Sequence, residues 1–183
     1  MKGIIFAELV RFMEETQSAA FADSVIRAAD IPSDGAYGAA NNYPSSEALK
    51  LVATASEHSG VPQDELCVLF GHYLFRRFTL LYSYLIEAYE TAEDLLMHIG
   101  SHIHADVCVL YPDARPPQVS LVKLSDQTIV TYSSYRPMAM IALGLVQQCM
   151  VHFGDPRQVT CEVTNKGRQA TFVLVEPDQE AAA

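Results

Sequence analysis

The 183-residue chain has no tryptophan, four cysteines with no CxxC pair among them, and only 12 lysines and arginines against 22 aspartates and glutamates. Each shortage excludes something. A formal net charge of −10 repels phosphate backbones and anionic membrane surfaces, and the one tight basic pair, Arg76-Arg77, is too small a patch to reverse that. Neither nucleic acid nor a membrane is an expected partner. Cys67, Cys108, Cys149 and Cys161 are far apart in sequence. They read as reduced, mostly buried small hydrophobes, with a redox or metal role as the alternative. No run reaches the roughly 18 uncharged apolar residues of a membrane helix. The apolar start MKGIIFAELV is interrupted by Glu8, Arg11 follows it, and no small-residue cleavage site comes after. It reads as an amphipathic helix and not as a secretion signal. Internal repeats and low-complexity linkers are missing too. A cytoplasmic protein with one domain over 1–183 is expected.

Half of the residues are hydrophobic and 19% are charged, enough for one sizeable core. Ile4, Ile5, Leu9, Phe12 and Met13 recur at helical spacing and predict a helix over 2–16. A short helix follows near 20–30, then a Gly-, Pro- and Asn-rich loop over 31–44. Ser45 or Ser46 starts a helix that Gly60 ends near 59, and Pro62 opens the next through Leu74. An apolar helix near 79–89 and a long one near 91–111 are expected. After Pro112 the pattern changes to strand formers. Val119–Val122 and Thr128–Tyr132 flank the turn signal Asp126-Gln127, a hairpin. Pro137 opens a helix near 138–152, and a second hairpin turns at Asn165-Lys166-Gly167 between Val159–Val163 and Ala170–Val175. Helices, hairpin, helix, hairpin gives an α+β fold with an antiparallel sheet, not alternating βαβ units. The last residues, 178–183, are expected to fray.

The densest chemistry lies in DLLMHIGSHIHADVCVLY, residues 94–111. On a helix His98 and His102 share a face one turn beyond Asp94, while His104 points well away from His102. His102 and His104 therefore cannot chelate one metal, and two faces need explaining. The His104 face carries Met97, Gly100, Ser101, Val107, Cys108 and Tyr111. Gly100 is costly inside a helix, by about 1 kcal/mol against alanine; a flat cofactor lying on the helix would account for it. A neutral imidazole on an apolar face is the usual axial ligand of haem iron, with a core histidine bonded to backbone as the competing reading. His98 and His102 form either a weak zinc or copper pair or a solvated polar face.

Tyr132, Ser134 and Arg136 lie at i, i+2 and i+4, which on a strand share one face. Two hydroxyls and a guanidinium suit a pair of carboxylates, since hydrogen bonds to charged groups contribute roughly 1.5–3 kcal/mol each. A polar outer face of a hairpin is the alternative.

With MKGIIF at the start, HADVCVLYPDARPP over 104–117 and YSSYR over 132–136, the chain resembles the H-NOX family, haem domains that bind nitric oxide or oxygen and are related to the haem domain of soluble guanylate cyclase. The resemblance covers the whole chain. It implies about seven helices and a four-stranded antiparallel sheet, with haem b buried between a distal helical part (1–60) and a proximal part (61–177). It places the iron ligand on His104, the propionate partners on Tyr132, Ser134 and Arg136, and the proline that presses on the haem on Pro117. Apolar contacts fall on Ile5, Leu9, Leu74, Phe78, Ile141 and Leu145; helical spacing from His104 adds Met97 and Gly100 as expected cofactor contacts. The position at which oxygen-binding members carry a donor tyrosine is Ile141, so the resemblance implies a sensor that takes NO and CO and not oxygen. NO would break the bond between the iron and His104, and the resulting movement would regulate a partner, a histidine kinase or a cyclic-di-GMP cyclase or phosphodiesterase. A zinc site of the kind some members carry is not expected, because 162–175 adds no Cys or His to Cys149 and Cys161. The rival readings are a thiol or metal redox sensor, and a haem enzyme of peroxidase type with His72 as its polar group. A hydrolase built on Ser134, His104 and Asp106 lacks a nucleophile motif.

Overall fold

A computed structural model of the chain describes residues 1–125 and 127–177. Asp126, half of the expected turn, and the tail at 178–183 lie outside the described residues. Helices come first: α1 (Gly3–Thr16), α2 (Ala19–Ala29), α3 (Ser45–Ser59), the long α4 (Gln63–Leu81) and the one-turn α5 (Ser83–Ile86). Next, α6 (Ala92–His98) runs through a π-helical turn, Ile99–Ile103, into α7 (His104–Leu110). The hairpin β1 (Gln118–Lys123)–β2 (Thr128–Ser133) and the hairpin β3 (Gln158–Thr164)–β4 (Gln169–Val175) flank α8 (Ala139–His152). With α6 and α7 taken as one continuous helix, the described residues form seven helices and one antiparallel sheet of order β1-β2-β4-β3. This is the expected α+β class.

Local chemistry sets most of these ends. The Ser18 hydroxyl accepts from the Phe21 amide and caps α2, and Thr91 does the same for α6 through the Asp94 amide. Gly60, at φ +73°, closes α3. One expectation fails: no separate helix spans 79–89. Its first residues are the last turn of α4, and the backbone leaves helical geometry at Tyr82 (φ −133°, ψ 41°) before α5 begins.

Two hydrophobic clusters fill the interior. One gathers Phe6, Phe12, Val25, Leu51 and Phe70 among the first four helices. The other gathers Leu95, Leu96, Val130, Phe172 and Leu174 between the sheet, α6 and α8. Strand alternation does the sorting: Thr128, Val130 and Tyr132 of β2 are buried in register with Leu174, Phe172 and Ala170 of β4. Helix α4 serves both clusters, giving Leu74 to the first and Phe75 to the second. It lies against α8 at very short range. A Cβ on Gly71 would come within 2.3 Å of the Ile141 carbonyl, and one on Gly144 within 2.2 Å of the Val68 carbonyl. Two facing glycines let the backbones meet, and the neighbouring Leu74, Phe78, Ile141 and Leu145 are thereby brought to one wall.

Candidate functional site

Between the two clusters lies a cavity of about 810 Å³, within the range of cofactor sites. The first turn of α1 lines it, as do α4, α8, the helix α6–α7, the run 111–117 and the end of β2. Ten of the thirteen residues singled out from sequence lie on its wall: His104, Pro117, Tyr132, Ser134, Arg136, Ile5, Leu74, Phe78, Ile141 and Leu145.

Three do not, and each has a reason. Leu9 is 5% exposed and packs within the first cluster. Met97 is 46% exposed. Gly100 faces strand β1, where a Cβ would sit 2.6 Å from the Val119 carbonyl. Close approach of a strand, not a flat cofactor, accounts for this glycine. The cause of the last two corrections is the π-helical turn, which puts one more residue into the helix than the α-spacing allows. The wall upstream of His104 is therefore Leu95, Leu96, Ile99 and Ile103. Regular helical projection from His104 misses these residues.

His104 opens α7 immediately after that turn. Its Nδ1 is buried and has no hydrogen-bond partner among the described residues. Burial pulls the imidazole below its ordinary pKa, and the nearby Pro117 backbone acts the other way. Neutral imidazole is the form that ligates a metal. His98 and His102 are elsewhere, as expected. Their rings stack at 4.6 Å, and His98 Nδ1 is 2.8 Å from the Asp94 carbonyl. No group of three or more His, Cys, Asp or Glu side chains placed to hold a metal occurs among the described residues.

Tyr132, Ser134 and Arg136 reach the cavity by a different route from the one expected. Strand β2 ends at Ser133. Only Tyr132 is placed by strand alternation. Ser134 and Arg136 belong to a turn in which the Ser134 hydroxyl accepts from the Arg136 amide at 3.1 Å. The Arg136 guanidinium donates to the Arg115 carbonyl at 3.0 Å and to the Tyr135 hydroxyl, and lies over the Tyr135 ring. Arg136 is 9% exposed, its Nε is buried without a partner, and burial lowers its pKa. A buried guanidinium with no carboxylate beside it is costly unless an anion meets it. Tyr132, also buried, has its pKa raised by burial against the opposing influence of Ser134 and Arg136.

The rest of the wall bears on chemistry. Ile5, Leu74, Phe78, Ile141 and Leu145 offer no donor. Tyr82 and Tyr84, from the α4–α5 corner, also line the cavity, and sequence reasoning missed them. Their signal was weak: Tyr82 is the break between α4 and α5 and Tyr84 lies in the one-turn α5, and periodicity revealed neither. His72 is not on the wall; its Nε2 lies 2.8 Å from Gln147 Oε1. Burial pushes the Cys67 thiol up to about 11 and Cys149 to about 12, and raises Cys161. Those three thiols are poor thiolates.

A buried imidazole at one place, a buried anion-seeking guanidinium at another and an apolar slot between them fit a flat cofactor that bears a metal and carboxylates. Comparison with known proteins agrees. A profile of the haem-NO-binding family matches residues 2–161. No curated protein matches. Among solved structures, the unliganded Fe(II) H-NOX protein of K. algicida superposes with a TM-score of 0.88 at 28% identity, over 98% of each chain. The H-NOX of Shewanella woodyi, solved with IWP-051 in the Fe(II)CO state, gives 0.80 at 29% identity, over 99% of this chain and 97% of that one. The Fe(II)NO form of an S. oneidensis H-NOX protein, 23% identical over 97% of this chain and all of that one, shares the fold with a TM-score of 0.88.

Proposed function

The chain belongs to the haem-NO-binding family of gas-sensing haem domains, and from that premise we propose that it is a sensor of nitric oxide that also takes carbon monoxide and leaves oxygen unbound. One observation carries the reading: His104 Nδ1 and Arg136 Nε, both buried and both without partners, belong to residues that line the same cavity. His104 would hold the iron. Tyr132, Ser134 and Arg136 would hold the two propionates, and Pro117 would press on the ring. The sequence has no Cys-x-x-Cys-His, so haem b held without covalent bonds is the form proposed.

Bound ferrous haem supplies an open iron position for a diatomic gas. The chain's own part is to set the surroundings of that position and to respond. A bound oxygen molecule would need a hydrogen-bond donor from the chain more than NO or CO would. Ile5, Leu74, Phe78, Ile141 and Leu145 supply none, and the hydroxyl-bearing Tyr82 and Tyr84 line the cavity from the α4–α5 corner; the apolar α1, α4 and α8 side chains support discrimination against oxygen. The π-helical turn supports a response at His104, since such turns recur at functional sites within helices. Upstream of it, α6 is fastened through Glu93, whose carboxylate accepts from Thr128 at 2.6 Å, Arg157 at 2.6 Å and Lys123 at 2.7 Å. Once the imidazole is released, α7 can shift while α6 stays on the sheet. We propose that this shift is passed in the cytoplasm to a signalling partner, a histidine kinase or a cyclic-di-GMP enzyme.

The test is spectroscopic. The reduced protein is exposed in turn to air, CO and NO. The reading expects separate spectra with CO and NO and an unchanged ferrous spectrum on first contact with air. A lasting oxygen complex contradicts the selectivity.

A further inference from the structure

The N-terminal segment and the 111–117 run meet at the end of the cavity lined by Arg136. Residues 1–3 are tied into the loop before α3: the Gly3 amide donates to the Asn41 carbonyl at 2.8 Å and the Tyr43 amide to the Met1 carbonyl at 2.9 Å. The 111–117 run links α7, which starts at His104, to β1. Among the described residues, the side-chain hydrogen bonds between these two bodies all end on Asp113. Lys2 Nζ donates to Asp113 Oδ1 at 2.8 Å, and the Asn42 amide donates to the other carboxylate oxygen. The Lys2 ammonium also donates to the Ala40 carbonyl at 3.2 Å and stands 4.8 Å over the Tyr111 ring. Its side chain is only 14% exposed, against 58% for Asp113. Lys2, Asn42, Tyr111 and Asp113 all line the cavity.

We infer that Lys2, Asn42 and Asp113 form a clasp across this end of the cavity and that the clasp sets how readily the cofactor enters and leaves. The inference rests on the haem reading above. A flat molecule cannot pass between two bodies that one shared carboxylate holds together; Asp113 must first let go of Lys2 and Asn42. The clasp is polar and at the surface, so opening it leaves the two cores untouched and the ions are re-solvated as they part.

Transfer of haem from the loaded protein to an excess of haem-free globin measures the exit rate directly. Asp113→Asn, Lys2→Met and the double variant are compared with wild type, with thermal unfolding followed in parallel. Exit should quicken roughly two- to fivefold in each single variant. The double variant should be no faster than the faster single one, because one contact is being removed twice. The absorption spectrum of the loaded protein should not move. Exit rates equal to wild type in all three variants overturn the clasp and leave the haem reading intact. So does acceleration matched by an equal loss of thermal stability in the haem-free protein, because the residues then serve the fold at large. A chain that takes up no haem overturns both.

Discussion

Replacing Arg136 with Met should affect the haem-free and haem-loaded protein in opposite ways. In the folded chain this guanidinium is 9% exposed, and no carboxylate is among its hydrogen-bond partners. Its bonds go to the neutral Arg115 carbonyl and Tyr135 hydroxyl. Losing those costs about 1 kcal/mol each, but a buried charge without a counter-ion is removed at the same time, and such replacements are often neutral or stabilising. Haem-free Arg136→Met should therefore unfold at or above the wild-type temperature. With haem present, the variant forfeits a charge-assisted contact to a propionate, about 1.5–3 kcal/mol. Haem affinity should fall roughly 10- to 150-fold. Haem titration followed by absorbance, with thermal unfolding of both forms, reads the two effects separately. A variant that unfolds far earlier without haem yet binds haem as tightly as wild type would refute the reasoning.

Other consequences can be measured independently. Ile141→Tyr puts a hydroxyl among the apolar side chains of the cavity wall and should give a stable oxygen complex in air, visible by absorbance; if oxygen still fails to bind, Ile141 does not set the selectivity. Gly144→Val places carbon where the Val68 carbonyl already lies, 2.2 Å from its Cβ. Separating α4 from α8 should cost about 3 kcal/mol, roughly 6–12 °C in Tm for a chain of this size, and an unchanged Tm would mean that the helices are not in tight contact. Glu93 is held down to about 2 by Lys123, Thr128 and Arg157. Its contribution, up to about 3 kcal/mol, is present above the unfolded carboxylate's pKa near 4.5 and is lost as pH falls toward 2. Glu93→Gln should flatten the stability profile across that window, as followed by urea unfolding at stepped pH; a profile as steep as wild type would remove Glu93 from the account.

How far the sequence could be read depended on regularity. Apolar spacing gave α1, α2, α3 and both hairpins to within a residue or two, because amphipathic periods and turn residues such as Gly60 and Asn165-Lys166-Gly167 act locally. Irregular backbone was not legible. The break at Tyr82 has no Gly or Pro to announce it, so the α4–α5 corner and its two tyrosines went unseen. The π-helical turn contains Gly100, but nothing in local spacing says that an extra residue enters the helix there, and that one residue was enough to move the predicted wall from Met97 and Gly100 to Leu95, Leu96, Ile99 and Ile103. Tyr132, Ser134 and Arg136 do share the cavity, but a turn stapled by Ser134 places Arg136 there, not strand alternation. Gly100 was singled out for its cost in a helix, and its true neighbour, the Val119 carbonyl, is a tertiary contact beyond the reach of local spacing.

His104 is the residue on which the account turns. Purified wild type and His104→Gly, both reduced, should be compared by resonance Raman for the iron–histidine stretch, with and without added imidazole and before and after NO. The account predicts the stretch in wild type and its loss on adding NO. In His104→Gly it predicts no stretch until imidazole fills the place of the missing side chain. An iron–histidine stretch that survives in His104→Gly without imidazole, or a wild-type protein that carries no haem, would contradict it.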